Sequence, residues 1–268
     1  MRVLAAAILL VVWAVPLAAN QQAERLMQAM HLSDFLEILS EEGLAQGLSI
    51  DESMLGGAGG SYFQAQVAEL YDPSSMYERL SQSVGRIMTN AQLEQSSIFF
   101  ESDLGQSIVS LENSARKALA DDTIDQMART AYFETDREDM FFRLVDEYVQ
   151  VNDLIEQNVR GTISADFSFY RGLASGQNGS LDEATVLDEL LSQHEQTKAE
   201  TTEWMYSFLL LAYRPLSETQ LRENIAFSRT DAGRALNAAL FKSFDEMLNS
   251  ISYQLGQAVA QAMSASEL

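Results

Sequence analysis

The hydrophobic positions of this chain recur at helical spacing along almost its whole length. An early stripe contains Leu26, Met30 and Leu39, and later stripes run through residues 141–167 and 236–259. Apolar residues three and four positions apart lie on one face of an α-helix. No segment combines alternating polarity with many β-branched residues, which is the pattern typical of a strand. The pattern therefore predicts an all-α fold.

Polar tetrapeptides indicate where several of these helices begin. In a capping box, a serine or threonine caps the helix, and a glutamate or glutamine three residues later reaches back to the cap. Five segments have this spacing: Ser49–Glu52, Thr89–Gln92, Thr135–Glu138, Ser180–Glu183 and Ser217–Gln220. The segment after Thr135 is expected to form one long periodic stretch. The helix that starts near residue 183 is expected to reach Arg214, because Pro215 should end it.

The chain also repeats a pattern at an interval of 128 residues. Thr89, Gln92, Phe99, Ser102, Asp103 and Gly105 fall on Ser217, Gln220, Phe227, Thr230, Asp231 and Gly233. This interval is much longer than the period of a typical repeat array. We therefore expect one ancestral helical unit to be present twice, as unit 1 (residues 20–134) and unit 2 (residues 135–268), packed into one bundle-like body.

The repeated motif has a structural interpretation. Serine or threonine followed by aspartate is a favourable start for a helix, and glycine at the third position costs less there than the roughly 1 kcal/mol of a helix centre. We expect a helix to end near Glu101 and again near Arg229, with the phenylalanine packed under each bend and the glycine admitting another backbone. Two alternatives stay open: a straight helix with glycine as a packing notch, and a cation bound at Asp103 and Asp231.

At these residues the chain resembles the exported bacterial family named domain of unknown function 2059, in two tandem copies. That family typically has a Phe-Tyr-x-Ser-Pro-x-Gly-like run. The residues that fit it are Phe99, Ser102, Leu104 and Gly105, and again Phe227, Thr230, Ala232 and Gly233. The departures are Asp103 and Asp231 at the proline position and Phe100 and Ser228 at the tyrosine position. The resemblance implies an all-helical periplasmic protein and implies no reaction, because the family's function is unassigned.

The first 19 residues have the parts of a secretory signal peptide. Arg2 precedes an apolar run over residues 3–19 that small residues close, and this order is typical of such signals. We expect cleavage near Ala18 or Ala19 and export to a bacterial periplasm, with an uncleaved N-terminal anchor as the alternative. The later apolar stretch at 205–213 is too short to cross a bilayer. Stable membrane insertion is therefore not expected after cleavage.

The charge balance restricts the classes of partner. The chain has 17 basic and 39 acidic residues and a formal net charge of -22. Nucleic acid is not an expected partner, because its binding depends on Lys and Arg that neutralise phosphates. Cations or a basic protein would be attracted, although such a charge also simply keeps a protein soluble. The absence of cysteine excludes disulfides, thiol nucleophiles and zinc–thiolate sites.

No familiar set of catalytic or metal-binding residues is present. His31 and His194 are the only histidines, and there is no Gly-x-Ser-x-Gly elbow for a serine nucleophile. Leu191 stands where a Glu-x-x-His pair of a di-iron bundle needs glutamate. The glycine-rich stretch at 55–61 lacks the lysine of a phosphate-binding loop. We therefore predict no catalytic residue, no metal ligand and no cofactor.

Two functions from different classes are consistent with this sequence. The favoured one is a non-enzymatic protein-interaction or chaperone-like module with a groove between its two units, and an exposed apolar groove would support it. The alternative is a protein that binds a small ligand or a cation in a pocket between helices. A buried cavity with converging carboxylates or tyrosines would distinguish the second from the first. The sequence identifies neither the partner or ligand nor the oligomeric state.

Overall fold

The computed structural model describes residues 15–176 and 182–266, and within them the chain is all-α, as predicted. The helices are α1 (Val15–Ala29), α2 (Leu32–Met54), α3 (Gly60–Leu70), α4 (Pro73–Ile87), α5 (Asn90–Phe100), α6 (Asp103–Ala118), α7 (Asp122–Glu134), α8 (Met140–Val151), α9 (Leu154–Gly176), α10 (Glu183–Ser192), α11 (His194–Tyr213), α12 (Glu218–Ser228) and α13 (Asp231–Ser266). Most of the predicted signal peptide and Ser180 lie outside the described residues.

Two of the predicted capping boxes are confirmed. At the start of α5, Gln92 N donates to Thr89 Oγ1 at 3.3 Å, and Thr89 N donates to Gln92 Oε1 at 2.9 Å. At the start of α12, Gln220 N donates to Ser217 Oγ at 3.3 Å, and Ser217 N donates to Gln220 Oε1 at 2.9 Å. Each box satisfies backbone donors that the first turn of a helix leaves free.

The prediction that Ser49 starts a helix is wrong, because Ser49 lies inside α2. Its neighbour Asp51 is buried, and the Asp51 carboxylate accepts a hydrogen bond from Gly59 N at 2.7 Å. Asp51 thus secures the turn between α2 and α3 instead of serving a helix start. Gly47 of α2 packs against Val67 of α3, Gly43 packs against Tyr71 just after α3, and the helix continues past Ser49 to Met54.

Three further predictions about helix bounds are also wrong. Thr135 follows the end of α7, and α8 is capped by Asp139, whose carboxylate accepts from Phe141 N. The long periodic segment after it is broken between α8 and α9, where Asp153 has a φ of 52°. The helix expected to run unbroken to Arg214 is divided into α10 and α11, and α10 is capped by Asp182. Hydrophobic spacing did not detect either break, because the apolar stripe continues on both sides.

Two hydrophobic cores organise the helices. Core 1 includes Leu26, Phe63, Leu80, Leu93, Met247 and Ile251. Core 2 includes Ile108, Leu144, Val145, Tyr213, Leu221 and Ile225. Core 1 therefore joins α1–α5 with α13, whereas core 2 joins α8, α11 and α12 with α6. The boundary between units 1 and 2 falls at the end of α7, and each core takes helices from both units.

Among the described helices, α9 and α13 have the most extensive contact, and this contact depends on small residues. A Cβ atom at Gly172 would lie 1.9 Å from Tyr253 O, and one at Gly256 would lie 2.1 Å from Phe169 O. The two backbones therefore pass too closely for any larger residue at these positions. In the described part of the chain, no helix is both long enough and apolar enough to cross a membrane.

Candidate functional site

The repeated motif forms two helix joints, which we call the first joint (residues 99–105) and the second joint (residues 227–233). At the first, Ser102 Oγ accepts from Gly105 N at 3.1 Å and donates to Phe99 O at 2.6 Å. At the second, Thr230 Oγ1 accepts from Gly233 N at 2.9 Å and donates to Phe227 O at 2.7 Å. Both are breaks between helices, because α5 ends two residues before Ser102 and α12 ends two residues before Thr230. The bounds of α12 lie 128 residues after those of α5.

The glycine of each joint touches the end of the preceding helix. A Cβ atom at Gly105 would lie 2.3 Å from Phe99 O and 2.5 Å from the Cα of Phe100. A Cβ atom at Gly233 would lie 2.1 Å from Phe227 O. Backbone cannot move aside as a flexible side chain can, so only glycine fits where these helices turn.

The two joints also contact each other. The rings of Phe99 and Phe227 are stacked, with centroids 3.9 Å apart and planes inclined by 2°. The ring of Phe100 stands edge-on to Phe227 at 5.7 Å. Phe99 packs against core 2 and Phe227 against core 1. The repeated phenylalanines therefore connect the two cores.

The aspartates of the motif are exposed first-turn residues of α6 and α13. Asp231 Oδ2 accepts a hydrogen bond from Gln92 Nε2 at 3.0 Å, so it links α13 to the start of α5. Among the described residues, no group of three or more His, Asp and Glu side chains is placed to hold a metal ion.

A cavity of about 230 Å³ lies beside these joints. Its apolar walls include Met30, Phe35, Phe100, Phe227, Leu240 and Phe244, and its polar lining includes Glu112, Asn113, Tyr148, Asn152 and Asn224. These residues come from both cores and from both units. The cavity therefore lies where the two halves of the protein meet.

Glu112 contributes a carboxylate to the polar lining. Its Oε1 accepts a hydrogen bond from the hydroxyl of the fully buried Tyr213 at 2.5 Å. Burial raises the pKa of Glu112 to about 7, and the hydrogen bond from Tyr213 opposes that rise. Burial, reinforced by the charge of Glu112, also raises the pKa of Tyr148 and of Tyr213. Both tyrosines are therefore neutral at physiological pH, whereas Glu112 can exchange a proton.

Two amide nitrogens in the cavity have no acceptor within hydrogen-bond distance, although the amide of Asn224 lies close enough to the Tyr148 hydroxyl to oppose the rise in the pKa of that tyrosine. They are the side-chain nitrogens of Asn113 and Asn224, and Asn224 is only 4% exposed. The neighbouring Asn152 is satisfied instead, since its amide nitrogen donates to Tyr148 O at 2.9 Å and to Ser228 Oγ at 3.2 Å. A buried donor without an acceptor costs about 1–3 kcal/mol. The cavity thus presents two donors that no described side chain accepts at hydrogen-bond distance.

A larger depression of about 550 Å³ lies between α2, α9, α10 and α13. Its carboxylates are either exposed, as in Asp166 and Glu189, or already paired, as in Glu42, which binds Arg116 at 2.7 Å. None of the described side chains that line it has a buried polar atom without a partner. The smaller cavity is therefore the better candidate for a binding site.

The first joint and Glu112 lie in the part of the chain that matches a known family. Residues 76–131 match the family model described as "Uncharacterized protein conserved in bacteria (DUF2059)". The predicted resemblance is confirmed for this segment, which runs from within α4 to within α7. The second copy, around residues 227–233, stays a prediction. No curated protein and no solved structure matches the chain.

The polar residues of the cavity do not stand out in the sequence, although the DUF2059 segment contains a signal for one of them. Glu112 lies one helical turn after the buried Ile108, on the face that otherwise carries the apolar stripe of α6. A carboxylate on such a face marks a buried or functional group. Tyr148 and Tyr213 gave no comparable signal, because tyrosine is common in apolar stripes. Only the packing of α6, α8 and α11 brings these three residues together.

Proposed function

We propose that this protein binds a small ligand in the cavity between its two cores. The observation that carries the proposal is the buried amide nitrogen of Asn224, which has no acceptor within hydrogen-bond distance and belongs to a residue that lines the cavity. A bound molecule with an acceptor oxygen would satisfy this donor and remove the cost of leaving it unpaired. This function is the alternative that the sequence left open.

The dimensions of the cavity support a molecule of modest size. An apolar cavity of about 150 Å³ in an engineered protein holds one benzene molecule. The cavity here has about 230 Å³, so it has room for a ring with a few additional atoms. Sites of this kind have mostly apolar walls and a few polar groups that orient the ligand, and Glu112 with the two asparagines supplies such groups.

Protein purified from its own host provides the direct test. Native mass spectrometry should detect a bound species of small mass that is lost on denaturation. The substitution Val109→Phe places a larger side chain in the cavity wall, so it should remove that species. Ile98→Phe is the matched control, because Ile98 is 57% exposed and does not line the cavity. The proposal would be contradicted if the wild-type protein carried no bound species, or if Val109→Phe carried as much of that species as the wild type.

The protein-interaction or chaperone-like function that the sequence favoured stays a prediction. Large apolar side chains are exposed at Leu48, Tyr62, Met127 and Phe133. Their exposure alone does not identify a partner. Cross-linking in the host, followed by identification of the linked chains, would test this second function independently of the cavity.

We also propose that the protein is exported and that its signal is cleaved near Ala18 or Ala19. The basic start and the apolar run of residues 3–19 support this proposal. Amino-terminal sequencing of the protein from the host should give a chain that starts near Asn20. A chain that begins at Met1 would support the uncleaved anchor instead. Fractionation of the same cells would test the periplasmic location.

A further inference from the structure

We infer, on the basis of the proposed binding function, that the ligand is an uncharged molecule with a hydroxyl group on an apolar body, bound once per chain. The inference rests on three features of the cavity: the kinds of hydrogen-bonding groups it offers, the nature of its walls and the difference between its two halves.

The polar groups of the cavity need a partner that both accepts and donates. The amide nitrogens of Asn113 and Asn224 are donors that lack an acceptor. Glu112 has one carboxylate oxygen engaged by Tyr213 and a second that no described side chain engages. A hydroxyl group accepts through its oxygen and donates through its hydrogen. It can therefore satisfy an asparagine and the carboxylate together, and it can turn to accept if Glu112 is protonated.

Charged ligands fit these groups less well. An anion would face Glu112, and no Lys or Arg is among the described residues that line the cavity. An ammonium group would pair with Glu112, but it has no acceptor to offer the two asparagines. Both donors would then remain unpaired in the bound state, at the cost that an unpaired buried donor carries. A hydroxyl group, in contrast, can accept a hydrogen bond from an asparagine amide and donate one to the Glu112 carboxylate.

The apolar part of the lining favours a ligand with an apolar body. Phe35, Phe100, Phe227 and Phe244 face the cavity together with Leu240. Apolar surface placed against them gains about 25 cal/mol for each Å² removed from water. A ligand that was polar on all sides would lose hydration along these walls without any replacement.

The two units contribute unequally to the cavity, and this inequality gives it one polar end. Four pairs of lining residues stand 128 positions apart: Phe100 and Ser228, and, on α6 and α13, Ile108 and Leu236, Val109 and Asn237, and Glu112 and Leu240. The cavity therefore lies between equivalent faces of α6 and α13. In the same register, Tyr213 corresponds to Gly85 and Asn224 to Ser96. Because the Glu112 group has no counterpart, one ligand should bind in one orientation.

Four probes of similar size separate the chemical classes: phenol, toluene, benzoate and benzylamine. They would be titrated by calorimetry into the dialysed full-length mature protein. Phenol should bind with one site per chain and about tenfold more tightly than toluene, because one or two buried donors are satisfied. Benzoate and benzylamine should bind more weakly than phenol. In Asn224→Leu, phenol should lose most of its advantage over toluene.

The outcomes distinguish the inference from the proposed function. Tighter binding of toluene, benzoate or benzylamine than of phenol would overturn the hydroxyl inference and leave a binding cavity. Binding of two phenol molecules per chain with equal affinity would contradict the inference that the cavity has one polar end and binds one ligand. No binding of any probe, together with no bound species from the host, would overturn both. Glu112→Gln preserves the size of the side chain, so weaker phenol binding by this variant, at a melting temperature no lower than that of the wild type, would exclude misfolding as the cause.

Discussion

Phe99 and Phe227 lie face to face at the boundary of the two cores, with ring centroids 3.9 Å apart. Each comes from the same position of a repeated motif, and each packs against the core that is built mainly from the other unit. The energetic coupling between these two rings therefore shows whether the two joints stabilise each other or act separately.

Substitution of either phenylalanine by alanine should destabilise the protein by about 2–4 kcal/mol, since both rings are partly buried. The double variant should lose less than the sum of the single variants, because the stacked contact is worth about 0.5–1.5 kcal/mol and is lost only once. Urea unfolding of the wild type, both single variants and the double variant measures this coupling. Additive losses would indicate that the two rings contribute independently.

Gly105→Ala should also be destabilising, by about 2 kcal/mol or more, because the added methyl group meets the backbone of Phe99 and Phe100. Gly233→Ala should behave in the same way. Gly161→Ala is the matched control, since a Cβ there meets only the carboxylate of Asp245. Alanine is the better helix former by about 1 kcal/mol, so the control should be neutral or stabilising. If the melting temperature of Gly105→Ala were as high as that of Gly161→Ala, the joint would tolerate a side chain.

The titration of Glu112 should make stability depend on pH. Its pKa is raised to about 7 in the folded protein, so the folded state holds this proton over a range in which the unfolded state has lost it. Stability from this group is therefore greatest at acidic pH and falls as the pH rises from about 4.5 to about 7. The stability of Glu112→Gln relative to the wild type should therefore increase by about 1–3 kcal/mol as the pH rises from 5 to 8. Urea unfolding at several pH values measures this difference, and a constant difference would show that Glu112 does not titrate there.

Asn224→Leu should stabilise the empty protein by about 1 kcal/mol, because it removes a buried donor that has no partner. Asn152→Leu is the contrasting change. It removes an amide that donates to Tyr148 O and to Ser228 Oγ, and it should be destabilising by a similar or larger amount. Melting temperatures of the two variants, measured after dialysis, should move in opposite directions. A loss of stability in both would indicate that the amide of Asn224 is satisfied in solution.

A cut between the two units should not separate them. A protease site inserted in the turn at residues 135–139, between α7 and α8, would give fragments that correspond to units 1 and 2. We expect one complex of both fragments on gel filtration, because α13 completes core 1 and α6 contributes to core 2. The fragments should separate only in denaturing urea. Two independently folded fragments in buffer would contradict the shared cores.

The features that the sequence predicted well depend on neighbouring residues. Thr89 and Gln92 form their capping box through contacts within four positions, and the phase of the apolar stripes identifies helices without further information. Ser49 has the same local pattern but lies inside α2, because packing against α3 outweighs a possible cap. The cavity could not be predicted, since Glu112, Tyr148 and Tyr213 approach one another only through contacts between distant helices.

The exchange of helices between the units also affects the order of folding during synthesis. Core 1 begins with α1, near the amino terminus, and is completed by α13, the last helix described. Domains usually fold in turn as they leave the ribosome, starting from the amino terminus. Here the first helices cannot bury their apolar faces fully until the final segment has been synthesised. The apolar faces of α1–α5 that pack on α13 in the folded protein therefore lack this partner until α13 has been synthesised.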